Sequence, residues 1–136
     1  MSGKPRPDLK DAATAPYWEA AARHELRLPR CDDCGLMFFP PRQFCPGCWS
    51  GELSWQPTSG GGTVWTFTEV HVAFYDDTWV DDVPYVVAVV ELDEGPRLLA
   101  GSGDADMDSL AIGDRVEVTF EDRSDGVTLP MFRVAT

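Results

Sequence analysis

Cys31-Asp32-Asp33-Cys34 and Cys45-Pro46-Gly47-Cys48 hold all four cysteines of this 136-residue chain within eighteen residues. Each Cys-x-x-Cys pair can form a turn that directs two thiolates toward one metal ion. Two such turns supply the four sulfurs of a tetrahedral zinc site. Gly35 and Gly47 lie where these turns need a backbone without a Cβ. The spacing therefore predicts a zinc ribbon.

Four cysteines also permit other uses. Two disulfides would suit an oxidising compartment, and a redox-active pair would normally stand alone at a helix start after a strand. Iron binds the same four thiolates, so only a measurement separates it from zinc. A coordination sphere closed by four thiolates leaves no position for water or substrate. We therefore expect one structural zinc ion on Cys31, Cys34, Cys45 and Cys48.

The segments beside the cysteines predict one short helix and two short strands. Thr14-Ala15-Pro16 is a typical helix start, and Tyr17–His24 places Tyr17/Ala21 and Trp18/Ala22 on one apolar stripe. Glu25–Arg30 alternates polar and apolar residues and predicts a strand that leads into Cys31. Leu53–Pro57 is the expected return strand.

The second half of the chain reads as strands separated by turns. The strand candidates are Thr63–Val72, Tyr85–Leu92, Arg97–Gly101, Asp114–Glu121 and Thr128–Val134. Five short antiparallel strands fit a Greek-key barrel of the OB type, with a half-open sandwich as the alternative. We predict a mainly β protein: a short N-terminal helix with a rubredoxin-like zinc ribbon, followed by a five-stranded OB-fold barrel.

Composition divides the chain into three parts. Residues 1–13 are polar and Pro-rich without periodicity, which predicts a flexible arm. Residues 14–58 would form the helix and zinc ribbon, and residues 59–136 the OB-fold domain. Ser59-Gly60-Gly61-Gly62 is the expected hinge between them. A long acidic loop with Asp76-Asp77 and Asp81-Asp82, and at most one helical turn at Met107–Leu110, would connect barrel strands.

Charge is distributed unevenly. Residues 1–60 carry seven basic and seven acidic groups, whereas residues 61–136 carry four basic and sixteen acidic groups, so the net charge of −12 lies in the barrel half. An acidic surface repels phosphates, which argues against nucleic acid as a partner. The sequence has neither an apolar run long enough for a membrane helix nor a secretory signal, so we expect a cytoplasmic protein without a membrane partner.

Catalytic groups are scarce. His24 and His71 are the two histidines, neither has a serine or cysteine partner close in sequence, and the cysteines are committed to metal. The paired aspartates of the acidic loop fit a solvated tip. We therefore expect a non-enzyme with no catalytic residues.

Aromatic residues are too many for the ribbon alone. A unit of about thirty residues cannot bury Phe38, Phe39, Phe44 and Trp49 together, so some should face a partner. Aromatic and Arg residues dominate the cores of protein interfaces. We assign the expected interface to Tyr17, Trp18, Phe38 and Phe39.

An ordered set of segments resembles a known family. The segments are Pro16-Tyr17-Trp18-Glu19-Ala20-Ala21, Leu26-Arg27-Leu28-Pro29-Arg30 before the first cysteine pair, Pro40-Pro41-Arg42 before the second, Gly62–Thr68, Pro84–Leu92 and Ile112–Val118. Together they resemble the zinc-ribbon/OB-fold acyl-CoA-associated proteins of domain of unknown function thirty-five.

The resemblance implies a non-catalytic accessory subunit. Members of this family accompany thiolase-fold enzymes, including aldolases that shorten steroid side-chain CoA thioesters, and some join hotdog-fold enoyl-CoA hydratases. The implied partner is a thiolase-fold enzyme in a hetero-oligomer, with a hydratase as the alternative. Because CoA carries phosphates and the arginines outside the acidic half lie near the ribbon, we predict that Arg42 binds CoA. Two other classes stay open: a single-stranded nucleic-acid-binding OB protein and a free-standing acyl-CoA-binding or hydrolytic protein.

Overall fold

The computed structural model describes residues 6–73, 81, 83–101 and 110–135. Within these residues the chain is mainly β, with one short helix. The elements in chain order are α1 (Ala15–Ala22), β1 (Arg27–Cys31), β2 (Leu53–Pro57), β3 (Gly61–Val70), β4 (Tyr85–Leu92), β5 (Arg97–Gly101), β6 (Arg115–Asp122) and β7 (Thr128–Val134). Asp76, Asp77, Asp82 and most of the expected helical turn after β5 lie outside the described residues.

A two-stranded antiparallel sheet carries the cysteine turns. Strand β1 pairs with β2 from Arg27 opposite Pro57 to Cys31 opposite Leu53. Cys31 ends β1, so the first cysteine turn begins where the ladder stops. The ribbon is therefore anchored directly on the residue that should hold metal.

The other five strands form a near-closed barrel. Their order is β5-β4-β3-β6-β7, with every neighbouring pair antiparallel. The two end strands approach each other, since a Cβ built on Gly101 of β5 would lie 3.3 Å from Cε of Met131 on β7. This strand order with the ends brought together is the Greek-key order of an OB barrel. The predicted fold class is confirmed.

Strand β3 differs from its predicted form at its start. Gly61 and Gly62, expected in a hinge, are its first two residues, and Gly62 pairs with Leu92 of β4 and Val116 of β6. The reason is close packing: a Cβ on Gly62 would lie 2.6 Å from Cγ1 of Val90. The hinge interpretation of these two glycines was wrong, because here glycine permits close approach of two strands.

The helix buries one of the two predicted apolar pairs, Tyr17 and Ala21, but not the other. Tyr17, Ala20 and Ala21 are buried, while Ala22 is exposed and Trp18 only partly covered. An i, i+3, i+4 stripe centred on Tyr17 therefore replaces the predicted pairing of Trp18 with Ala22.

One apolar cluster joins the helix, the ribbon and the barrel. Its buried members are Tyr17, Leu26, Leu28, Val64, Val86, Ala88, Val90, Leu92, Leu98, Leu110, Val116 and Phe132. A smaller cluster around Cys31, Phe38 and Cys45 lies beneath the cysteine turns. The ribbon thus rests on the same core as the barrel.

Candidate metal centre and interaction surface

The four cysteine sulfurs converge on one point. All four Sγ atoms lie within 4.8 Å of one another, and the Cys31–Cys48 and Cys34–Cys45 Sγ distances are both 3.6 Å. Four sulfurs arranged as a tetrahedron about 2.3 Å from zinc would be roughly 3.8 Å apart. The spacing of the sulfurs therefore fits a four-thiolate metal ion.

The same distances contradict a disulfide. All four cysteines are free, and 3.6 Å far exceeds an S–S bond of about 2.05 Å. Each short distance also joins a cysteine of one turn to a cysteine of the other, rather than the two cysteines of one Cys-x-x-Cys pair. The arrangement is that of a shared ligand set.

Backbone N–H groups point at two of the sulfurs. The Cys34 N–H points at Sγ of Cys31 at 3.4 Å, and the Gly47 N–H points at Sγ of Cys45 at 3.3 Å. The Cys34 N–H is the largest of several hydrogen bonds that together lower the pKa of the Cys31 thiol to about 7. Cys31 and Cys45 are buried, whereas Cys34 and Cys48 are exposed. The candidate metal site therefore lies at the protein surface, with one buried and one exposed cysteine from each turn.

The two cysteine turns share one backbone geometry. Gly35 donates its N–H to the Cys31 carbonyl at 2.9 Å, and Trp49 donates to the Cys45 carbonyl at 2.8 Å. Gly35 and Trp49 both have left-handed backbone, with φ of 81° and 65°. The residue of the second turn with left-handed backbone is thus Trp49, and not the expected Gly47.

The aspartates between the first two cysteines are hydrogen-bonded to serine side chains. Ser54 donates its hydroxyl to Asp32 at 2.8 Å, and Ser50 donates to Asp33. These hydrogen bonds occupy both carboxylates at the base of the turn. The four sulfurs are therefore the ligand set that the ribbon presents.

The four aromatic residues predicted to form an interface fall into two groups. Tyr17 is 8% exposed and Phe38 is 6% exposed, so both offer little area to a partner. Trp18 and Phe39 are half-buried and pack against the core, and the Tyr17 ring lies 5.0 Å from Trp18 and 5.6 Å from Phe39. Tyr17, Trp18 and Phe39 therefore form one group of ring contacts, edge-on between Tyr17 and Trp18 and tilted between Tyr17 and Phe39.

The exposed apolar residues of the ribbon lie elsewhere. Leu36, Phe44 and Trp49 are 41%, 55% and 76% exposed. The sequence placed Phe44 and Trp49 among the aromatic residues of the ribbon, but the predicted interface did not include them. The signal that separates Trp49 is its position directly after a turn cysteine, where the first turn has Gly35.

Arg42 is exposed beside the second cysteine turn. Neither Arg42 nor Arg30 forms an ion pair with any described carboxylate. The other seven arginines each lie within 4 Å of one: Arg6, Arg23, Arg27, Arg97, Arg115, Arg123 and Arg133. Arg30 and Arg42 are therefore available to an external anion.

Neither histidine forms a nucleophile–base pair within the described part of the chain. His24 Nε2 lies 3.0 Å from Oδ2 of Asp122, and His71 Nε2 lies 3.1 Å from Oε1 of Glu69. Thr128 donates its hydroxyl to Asp122 and not to His24. A hydroxyl nucleophile must hydrogen-bond directly to its general base. The Thr128 hydroxyl and His24 both contact Asp122 instead, so these three residues do not form a catalytic triad.

No helix in the described residues is both long and apolar enough to span a lipid bilayer.

Two family models match the chain consecutively. Residues 18–54 match the ChsH2 rubredoxin-like zinc ribbon domain, and residues 55–121 match the ChsH2 C-terminal OB-fold domain. A DUF35 domain-containing scaffold protein of Methanocaldococcus jannaschii is 40% identical over 125 residues, which is 88% of this chain and 87% of that protein.

The chain belongs to the DUF35 family.

Other relatives carry the names of enzyme subunits. The benzoylsuccinyl-CoA thiolase subunit BbsA of Thauera aromatica is 31% identical over 93% of this chain and 83% of its own length. The 3-oxo-4,17-pregnadiene-20-carboxyl-CoA hydratase alpha subunit of Mycobacterium tuberculosis is 36% identical over 82% of this chain, but that match takes in 35% of the longer relative.

A solved DUF35 structure resembles the whole chain. It is titled Ltp2-ChsH2(DUF35) aldolase, and the matching chain has a TM-score of 0.83 and 31% sequence identity. The match covers 98% of this chain and 100% of that chain. The DUF35 fold is therefore shared from end to end with a component of an aldolase.

Proposed function

We propose that this chain is a non-catalytic accessory subunit that binds and stabilises a thiolase-fold enzyme acting on acyl-CoA thioesters. The observation that carries the proposal is the full-length likeness to a chain of the Ltp2-ChsH2(DUF35) aldolase. Similarity to a benzoylsuccinyl-CoA thiolase subunit supports the same class of partner. The described residues provide a surface metal centre and exposed apolar side chains, but no nucleophile–base pair. The enzyme partner would supply the catalytic groups, and we place the complex in the cytoplasm.

Zinc is the metal we propose for the four-cysteine site. The distances between the sulfurs, which fit a four-thiolate ion, and the match to a zinc ribbon model support it. Zinc bound to four thiolates would cross-link the two turns and would have no open position for substrate. Its role would be to hold the ribbon in shape.

The proposed function includes a direct contact between this chain and CoA. Arg42 is exposed and has no carboxylate partner among the described residues, and a guanidinium can bind a phosphate through two parallel hydrogen bonds. The Pro40-Pro41 segment before it restricts the backbone of this stretch. We propose that Arg42 binds a phosphate of CoA in the assembled complex.

A hotdog-fold enoyl-CoA hydratase is the second candidate partner. The observation that favours it is the similarity to the alpha subunit of a pregnadiene-carboxyl-CoA hydratase. A role in binding single-stranded nucleic acid is disfavoured by the excess of acidic residues after residue 60.

The test is recovery of the partner. The tagged full chain is expressed in its own host, captured at low salt and high salt, and the co-eluting proteins are identified by mass spectrometry. Stoichiometric recovery of a thiolase-fold enzyme is the expected result, and a hotdog-fold hydratase would select the second candidate. Recovery of nucleic acid, or of no acyl-CoA enzyme, would overturn the proposed function.

A further inference from the structure

The two cysteine turns place very different side chains in the same backbone position. Gly35 and Trp49 have left-handed φ and make equivalent hydrogen bonds to the first cysteine of their turns. Glycine adopts this conformation without steric cost, whereas it is a genuine outlier for a bulky side chain. Glycine would therefore adopt the backbone conformation at position 49 with less strain than tryptophan.

Packing does not explain the presence of Trp49. Its side chain is 76% exposed, the highest value among the exposed large apolar residues in the described part of the chain. Strained backbone persists where something other than local stability maintains it, and it clusters at binding sites. An exposed tryptophan in a strained position is typical of a residue that contacts another molecule.

Two more apolar side chains surround the same turn. Cδ2 of Leu36 is 3.2 Å from the position of a Cβ on Gly47, and the Phe44 ring is 3.6 Å from that of a Cβ on Gly51. Gly47 and Gly51 lie two residues before and two residues after Trp49. We call Leu36, Phe44 and Trp49 the knuckle triad. The triad gives the second cysteine turn an exposed apolar surface next to the metal.

The charged residues near the knuckle triad indicate the kind of partner surface that the triad would contact. The chain has 23 acidic and 11 basic residues, yet Arg30 and Arg42 remain unpaired with any described carboxylate while the other seven arginines are paired. Arg30 Nη2 lies 3.4 Å from the position of a Cβ on Gly35, so its guanidinium covers the first cysteine turn. Arg42 precedes Phe44 by two residues. The unpaired guanidinium of Arg30, beside the apolar triad, complements a partner surface that has a carboxylate at the rim of an apolar pocket, whereas Arg42 is the residue assigned to a phosphate of CoA.

We infer that the knuckle triad is the anchor through which this chain docks on its enzyme partner, in an apolar pocket with a carboxylate at its rim for Arg30. The inference rests on the proposed function and goes beyond it by naming the docking face. It moves the centre of the interface from Tyr17, Trp18, Phe38 and Phe39 to the second cysteine turn. Docking there also covers the exposed sulfurs of Cys34 and Cys48.

A photo-crosslinking experiment tests the docking face in living host cells. Trp49 is replaced by p-benzoylphenylalanine in the full chain, and Ile112 and Leu99 are replaced in separate controls. These two barrel residues are matched in exposure, at 68% and 65%. After irradiation, we expect the acyl-CoA enzyme to be linked to position 49 about tenfold more strongly than to either control, because a central anchor is enclosed by its partner.

Every other outcome overturns the inference, and the outcomes differ in whether the proposed function also fails. If the enzyme is linked to position 99 or 112 and not to 49, or is captured without any link to 49, the docking face is wrong and the proposed function stands. If position 49 is linked to a second copy of this chain or to an unrelated protein, the occupant is wrong. If no acyl-CoA enzyme is captured or linked at all, both proposals fail.

The variant Trp49→Gly separates binding from folding. Glycine relieves the left-handed strain and removes a side chain that packs little, so we expect Tm of the metal-loaded chain to stay within about 5 °C of the wild type or to rise. Affinity for the captured enzyme should fall about 30-fold, as for a hot-spot tryptophan. A larger fall in Tm would assign Trp49 to folding, and unchanged affinity would remove it from the interface. Either result overturns the inference.

Discussion

His24 Nε2 lies 3.0 Å from Oδ2 of Asp122, which joins the end of helix α1 to strand β6 of the barrel. The His24 ring also stacks on Phe120, with ring centres 5.1 Å apart and planes inclined by 10°. His24 has left-handed backbone, φ 61°, at the corner between α1 and β1. The His24 side chain therefore links the corner of the N-terminal segment to the barrel, in addition to the apolar cluster.

The first prediction concerns the pH dependence of this link. The Thr128 hydroxyl, and after it His24, lower the pKa of Asp122 below its ordinary value of 3.8. Because its folded-state pKa is lowered, Asp122 stabilises the folded state above pH 3.8, and this contribution is lost as the pH falls through the folded-state pKa. Asp122→Asn should therefore lower the free energy of unfolding at pH 7 and have a smaller effect near pH 3.

Denaturant unfolding of the variant and the wild type at each pH measures this difference. The comparison is made within one pH, and the metal content of both proteins is determined at each pH, because acid also protonates the cysteine ligands and releases metal. An equal loss of stability at pH 7 and pH 3 would show that the Asp122 charge is not responsible.

The second prediction concerns the metal. Cys45→Ser removes a buried sulfur, and the chain should lose its metal ion together with a folding contribution on the order of 10 kcal/mol. The ribbon should unfold and partner binding should disappear. Elemental analysis of the purified protein and the capture experiment measure the two effects.

Ser54→Ala is the matched control for the metal prediction. It removes the hydroxyl that holds Asp32 but leaves all four sulfurs in place, so the metal content should not change. A Cys45→Ser protein that bound its partner fully without metal would contradict the structural role of the ion.

The third prediction separates the two unpaired arginines. Arg42→Ala should weaken binding of a CoA thioester by the complex about tenfold, since a charge-assisted contact to phosphate is lost. Complex assembly should be unaffected. Titration of the purified complex with the thioester, followed by calorimetry, measures the affinity.

Arg30→Ala is the counterpart of Arg42→Ala. It should leave the affinity for the thioester unchanged and weaken association with the enzyme, because Arg30 is assigned to the docking rim. Unchanged thioester affinity in Arg42→Ala would remove that residue from the CoA site.

The fourth prediction concerns the close approach of β3 and β4. A Cβ on Gly62 would lie 2.6 Å from Cγ1 of Val90 and 2.7 Å from the Glu91 carbonyl oxygen. Backbone cannot yield as a flexible side chain does, so Gly62→Ala should destabilise the protein by about 1 to 3 kcal/mol. Gly51→Ala is the control, because its Cβ would meet only the Phe44 ring at an ordinary 3.6 Å and should change stability by less than about 0.5 kcal/mol. Equal stabilities of the two variants in denaturant would refute the packing argument.

The strands were largely predictable because their signals are local. Strands β2, β4, β5 and β7 begin and end where alternation and turn residues place them. The gathering of the four sulfurs follows from the spacing of the two cysteine pairs, since each pair forms its own turn. Local patterns were sufficient for both features.

Features that depend on distant contacts were not predictable. The hydrogen bond between His24 and Asp122 joins residues 98 positions apart, and no periodic pattern in the sequence predicts it. Tyr17 is buried by residues of the barrel, which lie far along the sequence from it. The left-handed backbone of Trp49 contradicts residue preference, so only the comparison of two equivalent turns exposes it.

The apolar cluster that joins both halves has a consequence for how such a chain can evolve. Tyr17 and Leu28 come before the glycine-rich segment, whereas Val64 and Val116 follow it, and all four share one cluster. A recombination event between residues 58 and 59 would give each half a foreign partner for its buried side chains. The two halves should therefore be inherited together, and a gene fusion that adds an enzyme domain should leave this pair intact.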